Sequence, residues 1–437
     1  MRARATEGVV RLASLALLLI PAFAGARYLE VLPSELEVRR ALQSSPQIVA
    51  AREQVDIATA RQKQLRAGNC EWTVGFNGQR RTDPLGPTYT EETYELSRSL
   101  RLWGKAGLDR DLGKQTQAVG EYAYSDNWHE ASRMLLAGWF DWLRAQRSLQ
   151  IIREQAALLQ QQLSIVQSRV RAGDGPRVEE TLAQTEIDRQ GASIALAERH
   201  EQEVRLQLQR SFPDLDLNAP TSLDTPEVLA GSDEDWLRRI LADNHEIALA
   251  EGQQEQARLA AQRIGRDRMP DPTVGVRYSD NFDGNRRVIG LIVSVPLGGP
   301  GRSAAYAAAL GEASVAVQKA RDVHLKVESD ARRATLAMRS THLQWQQLQQ
   351  VALQSRTSAE TMAKGYSLGE FTITELVTAR RQSLDAALAA AIAQLDALEA
   401  IARLQLDAHE IWAAEHDPDG STQQSPPSPA RNARIPD

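Results

Sequence analysis

Two hydrophobic rhythms alternate along this chain. In the first, Leu149, Ile152, Ala156, Leu159, Leu163, Val166 and Val170 recur at alternating steps of three and four residues. Leu384, Leu388, Ala391, Leu395, Leu398 and Ala402 do likewise. Steps averaging 3.5 residues define a coiled-coil seam, and alanine at the seam lets helices pack closely. The longest such stretch runs to Arg171 and predicts one helix of about 70 residues, on the order of 100 Å long. A rod of that length needs partners along all of it.

The second rhythm has a period of two. Trp72, Val74 and Phe76 alternate with Thr73, Gly75 and Asn77, and Tyr94, Leu96, Leu100 and Leu102 alternate with Thr93, Glu95, Ser97, Ser99 and Arg101. Further on, Val274, Val276 and Tyr278 alternate with Gly275, Arg277 and Ser279. Ile289, Leu291, Val293 and Val295 alternate with Gly290 and Ser294, although Val288 and Ile292 blur that polar face. Strands of about ten residues, apolar on one side and polar on the other, suit a membrane barrel around a wet lumen. A soluble sheet with one face on a core is the alternative, and only helices are available to cover it. Arg98 falls on the apolar face and has to lie at the membrane interface.

The two rhythms occur twice, in the same order. SPQIVAAREQVDIATARQKQL from Ser45 matches NHEIALAEGQQEQARLAAQRI from Asn244, and TVGFNGQ at Thr73 matches TVGVRYSD at Thr273. LRLWGKAG at Leu100 sits like VSVPLGGPGR at Val293, and RLQL at Arg205 like RLQL at Arg403. VRAGDGPRVEETL matches YSLGEFTITEL, which puts Gly173 opposite Gly369 and Glu179 opposite Glu375. This is a duplication. Each copy reads helix, strand pair, very long helix, break, helix. The first copy spans 27–212, with a helix from about Pro33 to Arg66, strands near Trp72–Thr82 and Thr90–Leu102, the long helix to Arg171, and a last helix from Pro176. A proline-rich, acidic linker covers 213–232, the second copy 233–415, and a proline- and serine-rich tail, expected to be disordered, 416–437.

Composition removes other readings. Net charge is -6 in 437 residues, so the basic footprint of a nucleic-acid partner is missing. Cys70 is the one cysteine; it builds no disulfide framework and reads as a small apolar filler near a helix end. Arg2, Arg4 and Arg11 precede the run LASLALLLIPAFAGA, which reads as an export signal over 1–26 with the mature chain starting at Arg27; a retained anchor is the alternative. His129, His200, His245, His324, His342, His409 and His416 are scattered without ligand spacing, and His129, beside Glu130, reads as part of a solvated helix face. Gly298-Gly299-Pro300-Gly301 follows a strand but lacks the spacing of a phosphate loop. No enzyme, cofactor or metal site is expected.

Four strands cannot close around water, and an open edge cannot face lipid. Copies must therefore share one barrel. Two would give eight strands with an interior filled by side chains, whereas three give about twelve and a wet pore.

The duplicated plan, the segment YSLGEFTITEL, and the strand-to-helix crossings SLRLWGKAG and SVPLGGPGRS resemble the TolC-like outer membrane efflux factors over essentially the whole mature chain. The glycine and basic residue at the crossing are similar to the CzcC-type heavy-metal efflux branch. The resemblance implies a mainly α fold with a β-barrel portion: a trimer sharing a 12-stranded barrel in the outer membrane, continued by a periplasmic α-barrel of long coiled-coil helices. It implies an exit duct that docks to a periplasmic adaptor and an inner-membrane pump and exports substrates, metal cations among them. It further implies hairpin tips at the periplasmic end. Gly173, Gly369 and Leu376 would form adaptor-docking tips there, and Glu179, Tyr366 and Glu375 a gate in which Glu375 makes a ring of three like charges. Thr378 stands where some members carry a second acid and Phe371 where some carry an arginine, so the salt links of the constriction differ. A periplasmic adaptor or a coiled-coil scaffold is the alternative reading. The first would be expected to have one hairpin between lipoyl-like halves, and the second has no need of four amphipathic strands.

Overall fold

A computed structural model describes residues 28–82 and 84–414 of the chain. The expected export signal and the tail from 416 lie outside the described residues. The elements are α1 (Glu35–Ser44), α2 (Pro46–Ala67), β1 (Trp72–Thr82), β2 (Thr88–Ser99), α3 (Lys105–Ala172), α4 (Arg177–Ser211), α5 (Asp233–Ala242), α6 (His245–Arg266), β3 (Thr273–Asn281), β4 (Arg286–Ser294), α7 (Pro300–Ser367) and α8 (Ile373–Asp407). The second half repeats the first element for element. Helices of 10, 22, 68 and 35 residues recur at the same lengths.

The single helix expected from Pro33 to Arg66 is two helices. Ser45 precedes a proline, which disfavours helical backbone at the preceding residue, and it is extended, with φ -65° and ψ 138°. Its hydroxyl then accepts from the Ile48 amide and caps α2. Asn244 does the same for α6 through its side-chain oxygen, 3.0 Å from the Ile247 nitrogen. The second strand also differs: it ends at Ser99, because the amides of Leu100 and Leu102 bond to the Pro272 carbonyl and the Asp271 carboxylate, both at 2.8 Å. Pro176 caps α4 from outside and is not its first residue.

α3 and α7 are the two shafts. Near the sheet, α2 packs on the outer side of α3 and α6 lies between α3 and α7; beyond the middle, α4 and α8 take those places. One edge of the protomer is therefore formed by α2 and α4, the other by α7. The main core sits where these helices change over, around Leu135, Leu136, Trp139, Phe140 and Leu143 of α3, with Val38, Leu42, Ile48, Trp236, Leu398 and Ile401 against them. Much of the aromatic content is spent here. His129, expected on a solvated face, is buried at 7 % exposure beside this core.

The four strands form one antiparallel sheet in the order β1-β2-β3-β4. The two strand pairs, far apart in sequence, are joined through β2 and β3, with Leu96 opposite Val276.

Phe140 is wholly buried in the central cluster. Replacing it with alanine is expected to remove about 3–5 kcal/mol of stability, measured as a lowered thermal midpoint of the detergent-solubilised protein.

Candidate functional site

The register aligns the apolar strand positions into rows. Val74, Leu96, Val276 and Leu291 form one row; Phe76, Tyr94, Tyr278 and Ile289 form the next. The chain leaves this face bare: Val74 is 79 % and Leu291 87 % exposed. An apolar surface this continuous marks contact with lipid or another apolar partner. Arg98, in the row with Trp72 and Val274, lies at the helix-side end of the sheet. Its Nε donates to the Cys70 carbonyl at 2.9 Å and its guanidinium stacks 5.3 Å from the Trp72 ring. The opposite face is polar, with Glu95 and Arg277 paired at 3.6 Å and the Thr93 and Ser279 hydroxyls at 3.0 Å. Among the described residues β1 and β4 each pair on one side only.

Where sheet meets shaft, Lys105 is 2 % exposed and bridges Asp267 and Asp271, each at 3.0 Å. Arg101 holds Asp109 at 3.2 Å, and Arg263 joins Asp109 to Asp267. Lysine is rarely this buried unless paired. These pairs fix the start of α3 to the end of α6 around a polar cavity of about 360 Å³.

At the far end, α3 and α7 terminate alike. Gly173 and Gly369 have φ +78° and +83°, the left-handed backbone that glycine adopts without penalty. The next amides, of Asp174 and Glu370, reach back to the carbonyls of Arg169 and Gly365 at 2.9 and 2.8 Å.

The returning helices then diverge. Thr372 caps α8 in a capping box: its hydroxyl accepts from the Glu375 amide, and its own amide and hydroxyl both donate to Glu375 Oε2 at 2.8 Å. Those bonds, the backbone one first, hold the Glu375 carboxyl below its ordinary range. The matching position before α4 is Pro176, which has neither hydroxyl nor N–H to offer. Glu179 is thereby left to accept from the Tyr366 hydroxyl at 2.6 Å, joining α4 to the end of α7. Burial and that carboxylate push the Tyr366 phenol up to about 12. Arg169 covers the Tyr366 ring at 4.7 Å and donates to its carbonyl at 3.0 Å.

The structure thus brings Glu179 and Tyr366 together, while Glu375 is engaged with Thr372. Leu376 is 1 % exposed, packed with Val166, Ala183, Tyr366 and Ile373 in a small core of its own. Arg169 and the Glu186–Arg381 bridge between α4 and α8, at 3.0 Å, were not singled out from sequence. The Thr-x-x-Glu box at Thr372 was a visible signal.

No helix among the described residues is long and apolar enough to cross a membrane. Residues 38–212 match the family model described as outer membrane efflux protein. No curated protein matches the sequence significantly. Among solved structures, the outer-membrane channel OprN superposes with a TM-score of 0.73 at 16 % identity, covering 87 % of this chain and 90 % of that one. VceC of Vibrio cholerae gives 0.70 at 14 % over 85 % and 95 %, and CmeC of Campylobacter jejuni gives 0.68 at 14 % over 87 % and 86 %. The metal-efflux branch is not distinguished by these likenesses. The first repeat thus matches the outer membrane efflux protein family model, and the chain as a whole has the fold of the outer-membrane channels it superposes on.

Proposed function

We propose that three copies close head to tail into one duct, the exit channel of a tripartite efflux system, docked at its periplasmic tips to an adaptor that links it to an inner-membrane pump. The observation that carries this is the matched pair of edges. β1 with α2 and α4 bounds one side of the protomer, and β4 with α7 bounds the other. A contact between unlike edges closes into a ring when the rotation permits, and here one rotation serves sheet and helices together. α7 offers apolar surface for it: Leu310, Val317, Leu325, Leu336, Leu343 and Val351 are all exposed along its length. Val178, Leu182 and Leu196 of α4 are exposed as well. A periplasmic adaptor or a coiled-coil scaffold has no use for a sheet with a bare apolar face.

The hairpin tips hold the closed state. The Tyr366–Glu179 bond ties the two repeats together there, and Leu376 shapes the docking surface from within through its small core. Phe371, where some relatives carry arginine, packs against Gly365 so closely that a Cβ there would collide with its ring. In the trimer the exposed Glu375 carboxylates form a charged ring that favours cations. The likeness of SLRLWGKAG and SVPLGGPGRS to the metal-efflux branch supports metal cations as cargo.

Three measurements test this. The native protein is expected in the outer-membrane fraction as a heat-modifiable trimer; a soluble monomeric pool overturns the duct. Glu375→Gln is expected to lower cation selectivity in bilayer recordings, and unchanged selectivity removes Glu375 from the gate. Tyr366→Phe loses a hydrogen bond to a charged group, worth about 1.5–3 kcal/mol, and is expected to raise open probability roughly ten-fold or more with the trimer intact. An unaltered resting conductance would place the closing contact elsewhere.

A further inference from the structure

Past α8 the chain turns back over the central core. Residues 408–414 form a strap whose His409 and Trp412 have φ +58° and +54°, a backbone region that side-chain-bearing residues seldom occupy. Trp412 is buried against Val38, Leu42 and Trp128. Its indole N–H donates to the Tyr28 hydroxyl at 3.0 Å, and its carbonyl accepts from the Trp128 indole at 2.9 Å. The strap therefore ties the first described residues to the last ones, with Glu410 paired to Arg239 of α5 at 3.1 Å on its outer side.

The fold gathers three of the scattered histidines beneath this strap. The His409 ring lies 4.6 Å from that of His245, at the start of α6, and 5.1 Å from that of His129 on α3; the latter two are 6.2 Å apart. Both ring nitrogens of His409 are buried without a hydrogen-bond partner, although one of them must carry a hydrogen, which is costly. Most of the charged groups around the cluster are already paired. Asp407 of α8 holds Arg133 at 2.9 Å and Arg403 at 3.0 Å, with His129 Nε2 at 3.4 Å. On α3, Glu130 pairs with Arg133 and Asp126 stands one turn earlier. Asp243 precedes α6, and Glu246 on it is paired with Lys326 of α7 at 2.6 Å. Among the described residues no group of such side chains is placed to hold a metal ion, so the ligand this cluster can take is the proton.

We propose that the strap 408–414 is an acid-released latch: docked, it buries His409 among two other imidazoles, where the nearby Asp407 and Asp243 only partly offset the cost of a proton, and lifting it lets the ring be protonated in water. Burial, then the neighbouring His129 and His245, push His409 down to about 4. Above the ordinary value of about 6.5 the ring is neutral whether docked or lifted, and docking is at full strength. Between there and about 4 only the lifted strap binds the extra proton, so docking weakens by up to about ten-fold per pH unit. Asp407, held at about 2, stays ionised throughout this window. Release uncovers Val38, Leu42 and Trp128 and detaches Tyr28, loosening the central core against which α3 packs.

The test is amide hydrogen exchange of the full-length protein in detergent at pH 7 and pH 5, corrected for the intrinsic exchange rate. Opening of peptides covering 408–414 is expected to rise roughly twenty-fold, while peptides from the middle of α3 stay protected. His409→Asn, with a side chain tolerant of left-handed backbone, is expected to abolish the rise. Asp126→Asn is expected to preserve it, although burial and Glu246 raise that carboxyl. Absence of the rise in the native protein overturns the latch, and so do its persistence in His409→Asn or its loss in Asp126→Asn. Should His409→Asn fail to fold, the native comparison and Asp126→Asn decide by themselves.

Discussion

A peptide N–H or C=O left without a partner in hydrocarbon costs several kcal/mol, and this protomer has two rows of them. β1 and β4 each pair on one side only among the described residues, while the rows through Val74 and Phe76 on the same sheet call for lipid. Lipid on the face and unmet amides on both edges are compatible only if another sheet supplies the missing partners. The helices add to the same demand, for leucines and valines of α7 are left exposed along the shaft. In the proposed trimer, assembly completes a fold that one chain carries only in part.

Duplication supplies a second source of order. Both long helices end on glycine in left-handed backbone, and both return over 35 residues. Within that symmetry a single exchange separates the two tips. With threonine before α8, the glutamate three residues on closes a local box; with proline before α4, its counterpart crosses to another helix and meets a buried phenol. One ancestral acid has thereby acquired two duties, a local cap in one copy and a long-range tie in the other.

Much of the architecture was legible because both hydrophobic periods are local. The seam through Leu163 and Val166 and the alternation through Val74 and Phe76 report their elements without knowledge of the rest. Legibility failed where long-range partners intervene. Leu100 and Leu102 continue the strand alternation, yet Pro272 and Asp271 draw their amides out of the sheet. The break at Ser45 was written in the serine–proline pair, but the helical pattern runs across it. The resemblance named Glu179 and Tyr366 together; their bond, across 187 residues of sequence, needed the fold. The histidine cluster was unreadable for the same reason, since its members come from three separate elements.

The buried pairs around Lys105 also bear on how force travels through such a molecule. They lock the roots of α3 and α6 to the sheet with charges that are costly to separate once desolvated. The α3 shaft is thus clamped at its sheet end like a cantilever. In the proposed duct, bending at the distal end would spread along helices of 68 residues before it reached the sheet.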